Sequence, residues 1–230
     1  MKAKKLLRRG VDAVMYVLFL LLMGQCVLRG SAHEWLGIAA GALFVLHNAL
    51  NYRWYTALFK GKYTAARVAQ TAVNLLLAAA VLLCAVSSVL ISQHIFYVAR
   101  GSAIELGRRL HLAATAWAFV LMSAHLGLHL PLFAAAGKKI AVSGMARRNI
   151  RVVGCVLAAA LCLYGAYQFV DRRFWEELLL MIDYQKEYDY SKSLVAYLAG
   201  TAALSAPFAA AAHCLKKRLT AKGTGHKTGN

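Results

Sequence analysis

Six stretches of this chain are apolar for long enough to cross a bilayer: residues 11–28, 35–52, 68–91, 110–130, 150–170 and 194–215. Nothing else in the sequence constrains the fold as strongly. Inside hydrocarbon every backbone N–H and C=O must be satisfied by the chain itself, and a helix does this within one segment. A helix of about 20 apolar residues covers the membrane core. The expected fold is therefore an all-α integral membrane protein with six transmembrane helices. Its 230 residues leave no room for a separate soluble domain.

A formal net charge of +18 invites a nucleic-acid partner, and its distribution argues against one. The N-terminal tail and segments 53–67, 138–151 and 216–230 carry 5, 4, 5 and 5 basic residues, with Asp12 the only acid on that side. The opposite side holds 8 basic and 8 acidic residues. All of the excess thus falls on one face, which the positive-inside rule makes the cytoplasm. Both termini are expected there, in a bacterial cytoplasmic (inner) membrane, with membrane lipid as the surroundings and no nucleic acid bound. The opening MKAKKLLRRG resembles a secretory leader but lacks a small-residue cleavage site after the apolar run, so an uncleaved first span is expected. Cys26, Cys84, Cys155, Cys162 and Cys214 form no C-x-x-C or C-x-x-C-H. Covalent c-type haem and iron–sulfur clusters therefore have no supporting motif.

Two of the spans carry histidines in matched pairs. HEWLGIAAGALFVLHNALNYRW, residues 33–54, contains His33 and His47, 14 apart. RLHLAATAWAFVLMSAHLGLHL, residues 109–130, contains His111 and His125, again 14 apart. Fourteen helical residues rise about 21 Å and return to within roughly 40° of the starting face. Exactly one span separates the two helices, so they run parallel, and depth pairs His33 with His111 and His47 with His125. Ionisable groups within a span are costly and need partners. A single metal ion cannot reach both layers, since metal–imidazole bonds are about 2 Å long. A neutral proton relay leaves the matched spacing unexplained. Haem accounts for it: iron takes one axial imidazole from each side, and the macrocycle fills the gap between helices. The expected metal ligands are His33 and His111 for an outer haem iron, and His47 and His125 for an inner one.

His129, four residues past His125, is the alternative inner ligand, or else lines a quinone pocket or meets a propionate. Gly37 and Gly41 admit two readings, close helix–helix contact or room for the flat face of a macrocycle. Ala40 and Ala118 each follow an outer histidine by seven residues, on the same face, where space between two layers is needed. Arg108, Arg109 and Arg53 are candidate propionate partners, and equally ordinary interfacial charges. His94 reads as a solvated loop histidine or a propionate contact; His213 and His226 have no assigned role. Pro207 predicts a kink in the last span. Residues 171–192 hold six of the nine acids among aromatics, an interfacial amphipathic segment or a docking surface.

The phrases HEWLG…LHNALNYRWY and RLHLAA…LMSAHLGLHL resemble an uncharacterised family of bacterial cytochrome-b-like membrane proteins, a domain-of-unknown-function family, over residues 11–130. More distantly the chain is similar to formate dehydrogenase cytochrome b subunits and to di-haem cytochrome b. The resemblance implies two b-type haems in a four-helix haem-binding bundle of spans one to four, residues 1–136, with two flanking helices in 137–230. It also implies electron exchange with a membrane quinone or an extracytoplasmic redox protein, as an electron-transfer subunit of a quinone-linked oxidoreductase. Two other classes stay open: a haem-free membrane anchor that recruits a redox complex, and a proton-coupled transporter that uses the membrane histidines.

Overall fold

The computed structural model describes residues 2–24, 31–98, 100–137, 144–181 and 193–225, and these are helical apart from short connections. The elements are α1 (Lys2–Leu22), α2 (Ser31–Leu50), α3 (Tyr52–Ala57), α4 (Ala65–Ile91), α5 (Ser102–Gly137), α6 (Gly144–Asp171), α7 (Phe174–Leu178) and α8 (Leu194–Gly225). No strand occurs among the described residues. Among the described residues, each of the six apolar stretches falls largely within a long helix.

Four helical stretches are long and apolar enough to cross a membrane: Ala65–Ile91, Ser102–Leu130, Arg148–Asp171 and Leu194–Ala221. The chain is accordingly a multi-pass helical protein by length and composition. α1 and α2 are not among these four, and both carry ionisable side chains. Lys4, Lys5, Arg8, Arg9 and Asp12 lie within α1, and His33, Glu34, His47 and Asn48 within α2. On α6, Val153, Val156, Leu157 and Leu163 are all more than half exposed. Such an apolar exterior suits lipid, which solvates these side chains where water does not.

The second helix stops earlier than its apolar run. Asn51 leaves helical geometry (φ −104°, ψ 17°), and its side-chain amide donates to the carbonyl of His47 at 2.8 Å. Asparagine side chains compete in this way for backbone partners, and the chain restarts as the short α3, which the hydropathy does not reveal.

The chain forms two compact units, each assembled from several segments. One comprises Met1–Lys62, Ala80–Thr115 and Leu179–Leu198. Here α1 and α2 form an antiparallel hairpin: the Arg8 guanidinium donates to the carbonyl of Leu50, and one turn further along α1, Asp12 meets His47 at 2.8 Å. Gly107 of α5 lies against Leu90 and Ile91 of α4, so closely that a Cβ would stand 2.8 Å from the Ile91 side chain.

The other unit comprises Tyr63–Ala79, Ala116–Leu178 and Ala199–Asn230. Its core is built from Ala116, Ala118, Phe119 and Leu128 of α5, Phe174 of α7, and Ala203 and Leu204 of α8. Phe119 and Phe174 meet edge to face at 5.6 Å, and Phe169 packs on Phe174, Trp175 and Phe208. Glycine lets backbones touch: Gly127 meets Ala209 of α8, and Gly165 of α6 meets Ala203 of α8, the small-residue contact that drives helix association in membranes. Pro207 lies inside α8. Of the acidic segment 171–192, the part through residue 181 contains α7, with Arg172 donating to Gln168 and Thr201 at 2.8 Å each. Residues 182–192, Cys26 and His226 lie outside the described residues.

Candidate functional site

The outer histidine pair lies within a single unit. His33, in the first turn of α2, and His111, on α5, have ring centroids 6.3 Å apart with planes at 74°. Two imidazoles this close would suit a haem iron, which His33 and His111 would hold from either side.

Which nitrogen of each histidine is available follows from its neighbours. His111 Nδ1 lies 3.2 Å from Ser88 Oγ, 3.4 Å from Ser87 Oγ and 3.4 Å from the carbonyl of Cys84. Both hydroxyl protons are committed elsewhere: Ser88 donates to the Cys84 carbonyl at 2.7 Å, and Ser87 to the Leu83 carbonyl at 2.8 Å. With the hydroxyls so committed their oxygens accept, an arrangement that suits a proton on His111 Nδ1. His47 Nδ1 faces the Asp12 carboxylate at 2.8 Å, and an ionised carboxylate is acceptor-only. His125 Nδ1 faces Asn74 Oδ1 at 2.8 Å. With the proton on Nδ1, each of the three has an acceptor in place to receive it. This is how a metal-ligating histidine is normally held, its far nitrogen anchored to a carboxylate, carbonyl or similar acceptor. His33 differs: its Nδ1 is buried without a hydrogen-bond partner among the described residues.

Space is available beneath His33. A Cβ added at Gly37 or Gly41 would meet nothing within 4 Å. No close helix contact forms at either glycine among the described residues. Ala118 is fully buried and Ala40 half-buried.

The remaining candidates divide as follows. His129 lies beside His125, ring centroids 4.7 Å apart. Arg109 pairs with Glu105 at 3.0 Å on the surface, while Arg108 and Arg53 are exposed. His94 is engaged by Glu34 at 2.9 Å. His213 Nδ1 is buried without a partner among the described residues. Among the described residues no group of three or more His, Cys, Asp or Glu is placed to hold a metal ion; a haem needs only two axial ligands.

Glu34 was not singled out by the sequence and proves to be an anchor. Its carboxylate accepts from Ser92 Oγ at 2.7 Å, from the backbone N–H of Gln93 at 3.0 Å and of His94 at 3.4 Å, and from the His94 ring. It ties the first turn of α2, beside His33, to the segment that follows α4. Partial burial works to raise its pKa, and the four donated hydrogen bonds overcome that and hold the carboxyl down at about 2. Asp12, Asn74 and the Ser87–Ser88 pair were likewise missed as partners. The available signal was an unpaired polar residue inside an apolar run, which in a membrane demands a partner.

Comparison with protein-family models, curated proteins and solved structures finds no match to this chain.

Proposed function

We propose that this chain is a di-haem b-type cytochrome of the bacterial cytoplasmic membrane, with six spans and both termini in the cytoplasm. It would carry electrons between the quinone pool and an extracytoplasmic redox partner. The observation that carries the reading is the shared state of His47, His111 and His125, each with Nδ1 tied to an acceptor. An imidazole held in this way offers Nε2 to a metal and cannot rotate away from it. The separation of His33 from His111 suits an iron between them. The pairing of His47 with His125, or with His129 in its place, rests on the matched 14-residue spacing in the sequence. Bound haem supplies one-electron chemistry; the chain supplies axial nitrogens, the glycine face at Gly37 and Gly41, and an apolar surround. The cytochrome-b-like resemblance of the two histidine segments points the same way.

The test is vectorial. Liposomes containing the protein hold ferricyanide inside and face a membrane-impermeant reductant outside. Haem-dependent reduction of the trapped ferricyanide is expected with wild type, and loss of it when either histidine layer is removed. Conduction at the wild-type rate in both single-layer variants would rule out two haems in series. The His47–Asp12 pair is also the observation that favours proton-coupled transport. A haem-free preparation that moves protons with its solute would select that reading.

A further inference from the structure

We infer that Asp12 is a positioning residue for His47 and lowers the potential of the haem ligated there. The inference rests on the di-haem reading above. Asp12 stands in an otherwise apolar run of α1, where a carboxylate needs a partner. Its partner is His47 Nδ1 at 2.8 Å. Arg8, one turn earlier, donates instead to the carbonyl of Leu50, and no ion pair joins Arg8 to Asp12 among the described residues. The antiparallel register of α1 and α2 explains the match: four residues beyond Arg8 on one helix reaches three residues before Leu50 on the other.

The two layers are therefore held differently. His111 Nδ1 meets neutral acceptors, the Ser87 and Ser88 hydroxyls and the Cys84 carbonyl. His47 Nδ1 meets a full negative charge. A carboxylate on the far nitrogen makes imidazole a more basic ligand, and its charge favours the more positive state of the iron on the near nitrogen. Both effects stabilise ferric over ferrous iron at His47. Asp12 therefore lowers the potential of the haem held by His47.

The experiment is an optical redox titration of the purified full-length protein, with haem content measured on the same samples. Wild type should show two haems per chain and two separated waves. Asp12→Asn keeps the shape and removes the charge. It should raise one wave by about tenfold in the one-electron equilibrium constant, about 59 mV, and leave the other in place. Asp12→Glu should restore the wild-type value. If Asp12→Asn instead loses one haem and Asp12→Glu regains it, the positioning role stands, since second-shell changes weaken metal binding about 10–100-fold. Two unmoved waves in a fully loaded Asp12→Asn, a shift in both waves, or loss of both haems overturns the inference and leaves the di-haem reading intact. Absence of haem from wild type overturns both.

Discussion

One substitution, Gly→Ala, should have opposite consequences at four helical positions. At Gly127 an added Cβ would stand 2.1 Å from the carbonyl oxygen of Ala209 and 2.8 Å from its Cα; at Gly165 it would stand 2.1 Å from the carbonyl oxygen of Ala203. Carbon contacts settle at about 3.5–4.0 Å, so the α8 backbone must retreat by more than about 1 Å at either place. Overpacking of this kind costs about 1–3 kcal/mol, which outweighs the gain of about 1 kcal/mol that alanine brings to a helix interior. At Gly37 and Gly41 nothing lies within 4 Å, so only the gain remains. Thermal unfolding in detergent, followed by circular dichroism, should place Gly127→Ala and Gly165→Ala below wild type and Gly37→Ala and Gly41→Ala at or above it. Haem content adds a second axis: where the macrocycle uses the open glycine face, the last two variants lose haem without losing helical stability. Gly127→Ala with an unchanged midpoint would refute the close contact of α5 with α8.

Two further outcomes follow from the polar anchors. Glu34→Gln removes the charge that four donors share and should cost about 1–3 kcal/mol, seen as faster hydrogen exchange at the Gln93 and His94 amides; unchanged exchange would refute the anchor. Because the carboxyl is lowered to about 2, its contribution should be complete above about pH 4.5 and lost as pH falls through 2. Asn74→Leu removes the acceptor at His125 Nδ1 and should weaken haem retention about 10–100-fold while the helical content is kept; full retention through repeated washing would show that Asn74 does not orient the ligand.

The long helices were legible because an apolar run of about bilayer length announces each one, whereas the short α3 was not. The ends were less so. α5 begins at Ser102, ahead of its apolar run, since Arg108 and Arg109 are tolerated on an exposed face. The break at Asn51 is a side-chain hydrogen bond that hydropathy does not register. At the site, the histidines stood out through a spacing internal to each helix. Their partners did not, because joining Asp12 to His47 or Asn74 to His125 requires the register between helices, which no single-helix periodicity contains. The glycines divide in the same way. Gly37 and Gly41 have the four-residue spacing of a contact motif but face open space, whereas the close contacts form at Gly127 and Gly165, whose partners are 82 and 38 residues away in sequence.

Haem stoichiometry tests the central claim most directly. Pyridine haemochrome analysis of the purified full-length protein should give two b-type haems per chain, falling to one in His111→Ala and to one in His47→Ala. Less than about one haem per chain in fully loaded wild type would contradict the account.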